Sequence, residues 1–274
     1  MSRVDGNSCR KYVAGTLAMT AATMLPAQHV GRYTPGETFV NGISVKAEDD
    51  AAPDATVAGR HEGEMVFLLH GIGKGRLDMA AMSAGLRKQG YAVVNWGYPS
   101  TKYDLETLAD KLAEELGRFP GYRIHFVTHS MGGIVVRTCM ARHDLPNVGR
   151  MVMIAPPNQG AELAQFFGNW PVYRFLFGPA GQQLRPADLG QCASAGMPVC
   201  EFGIIAGGTG GSRGMNPFLP GDNDGTVTVE STLLPDAQDF AVVPYPHPVI
   251  QMMPRTIDLT VRFLNEGRFG VAGE

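Results

Sequence analysis

The chain has 274 residues, a formal net charge of −3 and 44% hydrophobic residues. This near-neutral balance excludes an electrostatic basis for nucleic-acid binding, which requires a concentrated positive surface. The sequence has no internal repeat or low-complexity tract, and about 200 residues of this composition can bury one ample core.

The first 27 residues have the layout of a secretory signal peptide or an N-terminal anchor. Two basic residues precede an apolar, small-residue stretch over 12–25, which is too short and too rich in Ala and Thr to predict a membrane span. Leu25 stands where a small residue is expected three positions before cleavage, and Asp5 reduces the positive charge of the leader. We expect an exported protein, periplasmic or secreted, with a cytoplasmic location as the alternative.

Residues 28–60 contain several Pro, Gly and acidic residues and predict a loose lead-in with at most one short hairpin. The main domain is then expected over 61–274. It begins with Met65–Leu69, a continuous apolar run that is typical of a strand buried on both faces of a parallel sheet.

A glycine-rich turn over 70–73 follows that strand and is the first candidate binding element. Its backbone can point an N–H, that of Ile72, at an oxyanion above the sheet. A nucleotide site is excluded, because the third glycine of G-x-G-x-x-G is missing and Lys74 is not followed by the Ser or Thr of a P-loop.

Strands and helices alternate along most of the remaining chain. The clearest helix runs from Asp104 to Arg118, where Leu and Ala recur at helical spacing and charged residues occupy the other side. The alternation predicts an α/β fold with a mostly parallel central sheet and helices on both faces. The other predicted strands are Tyr91–Trp96, Arg123–Val127, Arg150–Ala155, Val199–Ala206 and Asp239–Val243.

Residues Thr128–Gly133 join a strand to a helix in the layout of a nucleophile elbow. Such a turn leaves the Ser130 hydroxyl exposed above the sheet, with the helix N-terminus beneath the developing oxyanion. Gly132 and Gly133 supply the small residues that the turn requires, and the N–H of Met131 is the second predicted oxyanion donor. The hexapeptide alone is also compatible with an ordinary strand–helix turn.

Two histidines follow Ser130 and could serve as its base in a triad ordered serine, acid, histidine. His143 lies on the helix that the serine opens, about 20 Å away at the rise of an α-helix, and cannot reach it. His247 lies on a loop between the last strand and a final helix predicted from about Arg255 to Glu266. A loop at a strand's C-terminal end is where a general base is expected.

The acid is expected in the polar loop after the strand at 199–206. Asp224 is the first choice and Asp222 the second, although either carboxylate could simply be solvated in an Asp-Gly turn. Asp239 is a third candidate, at the opposite end of the sheet. A calcium loop is not predicted here, because Pro220 stands where its first carboxylate is needed.

An insertion over 158–198 breaks the strand–helix alternation and is expected to form a small cap. Its six aromatic residues could favour an apolar acyl chain or simply pack the insertion on the core. Cys192 and Cys200 could form a disulfide in an exported protein, whereas Cys139 is expected to be a buried thiol.

Short motifs recur at fixed places after the predicted strands. They are His70-Gly71, Tyr98-Pro99-Ser100, Thr128–Gly133, Ala155–Gly160, Asp224–Val227 and His247. Over residues 60–268 this series resembles the α/β-hydrolase-fold serine esterases and lipases, and is most similar to lipase-like bacterial members. One departure is Thr128, which occupies the first glycine position of G-x-S-x-G and raises a question about local packing.

The resemblance implies an esterase or lipase with Ser130 as nucleophile, His247 as base and Asp224 as acid. The expected substrate is a small-molecule or lipid ester, with contact to a membrane or lipid surface, and no cofactor or metal is expected. Phospholipases, thioesterases, acyltransferases and peptidases on the same fold are alternatives within the class. A catalytically silent binding protein is the alternative outside it.

Overall fold

A six-stranded parallel sheet forms the centre of the computed structural model, which describes residues 37–40, 43–46, 61–145, 147–161, 171–184 and 195–270. Two short strands before it, β1 (Glu37–Val40) and β2 (Ile43–Lys46), pair antiparallel with each other. The six strands are β3 (Glu64–Leu69), β4 (Ala92–Trp96), β5 (Arg123–His129), β6 (Val148–Ile154), β7 (Phe202–Gly207) and β8 (Asp239–Val243).

The strands are ordered β4-β3-β5-β6-β7-β8, so the chain winds outward in both directions from the centre. All five strand pairs are parallel, and their carboxyl ends therefore lie at one edge of the sheet. The α-helices of the described chain are α1 (Ala80–Lys88), α2 (Leu105–Leu116), α3 (Met131–Arg142), α4 (Pro171–Gln183), α5 (Val229–Thr232) and α6 (Pro254–Glu266).

Helices cover both faces of the sheet, as predicted from the alternation of strands and helices. Along β3, Phe67 and Leu69 face a core shared with α2 and α3, whereas Val66 and Leu68 face a core shared with α1 and α6. Alternate residues of a strand point to opposite faces, which explains why this strand is apolar throughout.

The predicted elements are present, with small shifts at their ends. The predicted strand at 199–206 begins only at Phe202, because Val199 is 67% exposed and precedes the ladder. Helix α2 is capped by Asp104, whose carboxylate accepts the N–H of Thr107. No helix in the described part of the chain is long and apolar enough to cross a membrane.

The insertion contributes α4, whose regular backbone is broken at Gly178. Residues 162–170 and 185–194 of the predicted cap lie outside the described residues, as does Cys192 of the predicted disulfide. Cys200 and Cys139 are free thiols, and burial raises the pKa of each to about 12. Residues 1–27, which carry the predicted signal, also lie outside the described part.

Candidate active site

The turn over Thr128–Gly133, called the serine turn below, lies at the carboxyl end of β5, where α3 begins. Ser130 stands between them with φ 54° and ψ −127°, in the left-handed half of conformational space that non-glycine residues rarely adopt. Its N–H donates to the carbonyl of Ile154 on β6 at 2.8 Å, which helps hold this backbone in place. Such strain typically costs about 1–3 kcal/mol and is concentrated at functional sites.

Two glycines let α3 start this close to the sheet. A Cβ on Gly132 would lie 2.8 Å from the carbonyl oxygen of Leu69, so only glycine allows the helix to pack on β3. A Cβ on Gly133 would lie 3.2 Å from Oγ1 of Thr128. The second glycine therefore packs closely against the buried threonine that occupies the first position of G-x-S-x-G.

Ser130, His247 and Asp224 form one continuous hydrogen-bonded chain. The Ser130 Oγ lies 3.1 Å from Nε2 of His247, and Nδ1 of His247 lies 2.6 Å from Oδ2 of Asp224. A carboxylate can only accept, so Nδ1 carries the hydrogen and Nε2 is left to accept the serine proton. The three side chains come from different loops at the carboxyl edge of the sheet.

Asp224 is held rigidly in its loop. Its second carboxylate oxygen, Oδ1, accepts the backbone N–H groups of Thr226 and Val227 at 3.0 and 2.8 Å. Its carbonyl accepts the N–H of His247 at 2.9 Å, so the acid is bound to the base through backbone as well as side chain. The side chain is 1% exposed, which shields the pair from water.

The other acid candidates have different partners. Burial would raise the pKa of Asp222, but hydrogen bonds from Thr209, Gly210 and Asn223 outweigh it and lower that pKa. Its carboxylate therefore organises the loop after β7 and does not contact His247. Asp239 accepts the N–H of Phe269 at the opposite edge of the sheet.

The glycine-rich turn over 70–73, called the oxyanion turn below, lies against Ser130. A Cβ on Gly71 would be 3.1 Å from Cβ of Ser130, which places the peptide between Gly71 and Ile72 beside the nucleophile. Among the described residues, neither the N–H of Ile72 nor that of Met131 has a hydrogen-bond acceptor. Both donors are therefore available to a ligand at this position.

Side chains that sequence reasoning noted only as motif members hold this turn. The Gly71 carbonyl accepts Nδ1–H of His70 at 2.8 Å, and the N–H of Gly73 donates to Oγ of Ser100 at 3.0 Å. The carbonyl and N–H of a trans peptide point in opposite directions, so fixing the carbonyl of Gly71 also orients the N–H of Ile72.

His70 is itself fixed by Tyr98. The two rings stack at 4.3 Å, and the Tyr98 hydroxyl donates to the carbonyl of His70 at 2.6 Å. Burial lowers the pKa of His70 to about 4, so the ring is neutral near pH 7. One sequence signal could have identified this role, because His70 and Tyr98 each come just after the end of a strand.

The insertion helix borders the same turn. A Cβ on Gly181 would lie 3.1 Å from Cδ1 of Ile72, so α4 contacts the residue that carries an oxyanion donor. Oε1 of Gln183 accepts the N–H of Leu105 at the start of α2, and its amide group donates to Glu106. These bonds anchor the C-terminal part of α4 to the core.

A metal site does not emerge from the described residues, in which no cluster of three or more His, Cys, Asp or Glu could hold an ion. The one acidic loop that could be compared with a calcium site, around Asp222, directs its carboxylate oxygens at backbone N–H groups.

Comparison with known proteins extends these observations. The model of a family described as a domain of unknown function (DUF7379) matches residues 38–170. No curated protein matches the chain.

Many solved structures share the architecture, and three of them are similar over most of both chains. The mature lipase BlEst2 of Bacillus licheniformis is 24% identical, with a TM-score of 0.59, over 86% of this chain and 100% of that one. The metagenomic carboxyl esterase MGS0156 is 16% identical, with a TM-score of 0.51, over 90% and 85%. The product of gene lin2722 of Listeria innocua is 16% identical, with a TM-score of 0.52, over 74% and 94%. The chain has the α/β-hydrolase fold, as the sequence resemblance predicted.

Proposed function

We propose that this protein is a serine hydrolase that cleaves carboxylic esters through an acyl-enzyme on Ser130. The observation that carries the proposal is the hydrogen-bonded chain from Ser130 through His247 to Asp224, at 3.1 and 2.6 Å. Two solved proteins of this fold described as a lipase and a carboxyl esterase add support.

In this reaction His247 takes the hydroxyl proton as Oγ of Ser130 attacks the ester carbonyl carbon. The N–H groups of Ile72 and Met131 stabilise the resulting oxyanion, and Asp224 stabilises the imidazolium. The intermediate collapses as the C–O bond breaks, and the alcohol leaves with the proton from Nε2. Water then attacks the acyl-enzyme by the same route, which releases the acid and restores Ser130.

The surroundings of the serine support one class of substrate. Ile72 is apolar and packs beside Gly181 of α4, and this pairing suits an uncharged acyl group next to the oxyanion donors. A short or medium acyl chain, carried by a small molecule or a lipid, is therefore proposed. Export, and contact with a lipid surface, belong to the same proposal.

Active-site labelling tests the proposal. Purified protein should react covalently with a fluorophosphonate probe and hydrolyse p-nitrophenyl esters, with a chain-length series from acetate to palmitate locating the preferred acyl group. Ser130→Ala should abolish labelling and lower turnover by about 10⁴ to 10⁶, with an unchanged near-UV spectrum.

The outcomes separate the alternatives. A folded wild-type protein that neither labels nor hydrolyses any ester would be the catalytically silent binding protein. Labelling together with preferential turnover of a phospholipid, a thioester or a peptide would identify a serine hydrolase with a different substrate. Acyl transfer to an added alcohol would identify an acyltransferase.

A further inference from the structure

A second histidine, His129, stands directly before the nucleophile in the chain. Its Nε2 lies 3.1 Å from the backbone carbonyl of His247, and the two rings are 4.8 Å apart and tilted by 43°. The two residues are 118 positions apart in sequence, so this contact joins the serine turn to the loop of the base.

The hydrogen-bond roles at this contact are fixed by chemistry. A carbonyl oxygen only accepts, so the Nε2 of His129 carries the hydrogen, and in the neutral ring Nδ1 is then unprotonated. Nδ1 has no hydrogen-bond partner among the described residues and faces Gly71, where an added Cβ would lie 3.1 Å away. His129 is 1% exposed, so its ring makes almost no contact with solvent.

The neutral state of this ring suits its position. Burial, and then the neighbouring His247, hold the pKa of His129 well below its usual range. A charged ring here would repel the imidazolium that His247 becomes during the reaction. His129 therefore donates a hydrogen bond to the loop that carries His247, and it does not compete with His247 for the proton of the Ser130 hydroxyl.

The backbone of His247 is thus bound on both sides. Its N–H donates to the carbonyl of Asp224, and its carbonyl accepts from His129. Because His129 and Ser130 are consecutive, the serine turn contacts His247 twice, once at its backbone and once at its ring. The contact at the carbonyl therefore adds to those of Asp224 in fixing the position of the His247 ring relative to Oγ.

We infer that His129 is a positioning residue, which sets the distance between the nucleophile and the general base through the carbonyl of His247. The inference rests on the proposed ester hydrolysis and deepens it. Misplacement of reacting groups by 1 Å can cost about 10²-fold in rate, so a single buried hydrogen bond at this point is sufficient to matter.

Two amide variants of His129 test whether a donor must reach the carbonyl of His247. In His129→Gln the side-chain amide extends to the place of Nε2, whereas in His129→Asn it extends only to that of Nδ1. We expect the Asn variant to lose about 10- to 100-fold in kcat on p-nitrophenyl butyrate with KM changed less than about 3-fold, and the Gln variant to stay within about 3-fold of wild type. His129→Met, which has no donor, should behave like the Asn variant and replaces it if that variant does not fold.

A second background distinguishes positioning from general damage. In His247→Ala the carbonyl remains but there is no ring to position, so adding His129→Asn should change the residual rate by less than about 2-fold. Equal activity of the Gln and Asn variants, or an equal loss in both backgrounds, would overturn the inference. A wild-type protein without esterase activity or labelling would instead refute the proposed function.

Discussion

Asp222 and Asp224 are two residues apart in one polar loop, yet their carboxylates have different partners. The side chain of Asp224 binds the base and two backbone N–H groups of its own turn. The side chain of Asp222 binds the backbone after β7 and the Thr209 hydroxyl. The chemical role of each aspartate is therefore decided by the direction of its side chain and not by the residue type.

Comparing the two aspartates gives a prediction about the acid. Asp224→Asn should lower kcat by about 10⁴, because an amide at that position favours the wrong tautomer of the base. Asp222→Asn should cost less than about 5-fold, since its remaining carbonyl oxygen can still accept backbone N–H groups. Steady-state kinetics on one p-nitrophenyl ester measure both. The reverse order would move the acid to Asp222, and two small effects would remove the acid from this loop.

Helix α3 is the element on which the site depends, because it begins directly beneath the serine. Its first turn packs against the end of β3, where Gly132 approaches the carbonyl oxygens of Leu69 and His70. The same strand end leads into the oxyanion turn. A displacement of α3 would therefore separate the N–H of Met131 from that of Ile72.

We expect Gly132→Ala to damage both stability and catalysis. The added methyl group would lie 2.8 Å from backbone oxygen, which cannot move as a flexible side chain can. Overpacking of this kind typically costs about 1–3 kcal/mol. Gly117→Ala is the matched control, since its new methyl group would meet its nearest neighbour at 3.4 Å and φ is −60°.

Urea unfolding and ester kinetics measure the two effects. The Gly132 variant should show a lower free energy of unfolding and a lower kcat, and the Gly117 variant should match wild type in both. An undiminished kcat in a folded Gly132→Ala protein would contradict the role assigned to this contact.

Buried neutral histidines link the stability of the whole molecule to pH. Burial lowers the pKa of His70, beside the oxyanion turn, and of His125, on β5, to about 4. Each has a lower pKa in the folded than in the unfolded chain, where it is about 6.5. Their contribution is full above pH 6.5 and is lost as the pH falls toward 4, because the unfolded chain then binds the extra protons.

The free energy of unfolding should accordingly decrease between pH 6.5 and 4.5. His125→Asn should reduce this dependence by up to about 1.4 kcal/mol per pH unit, the contribution of one proton. Asparagine suits the test because its carbonyl oxygen can accept the N–H of Arg150, as Nδ1 of the imidazole does at 2.9 Å. Urea unfolding at three pH values measures the slope. Identical slopes for the two proteins would show that His125 does not titrate in this window.

Features that depend on neighbouring residues could be predicted from the amino-acid sequence. The alternation of apolar runs with amphipathic helices was sufficient to predict an α/β fold with a mostly parallel sheet, since burial on both faces of β3 leaves a continuous apolar run. The turn at Ser130 could also be predicted, because the serine directly follows a strand end and two glycines come within the next three residues. Elimination of His143 by helix length then left His247 as the candidate base.

Features that depend on the direction of a side chain, or on contacts between distant residues, became visible only in the folded chain. The contact of Asp224 with His247 needs the loop to fold so that one carboxylate of two faces inward. The pairing of His129 with the carbonyl of His247 joins residues on separate strands and loops. No local pattern encodes such contacts, because sheet order, burial and backbone direction together bring these groups within hydrogen-bond distance.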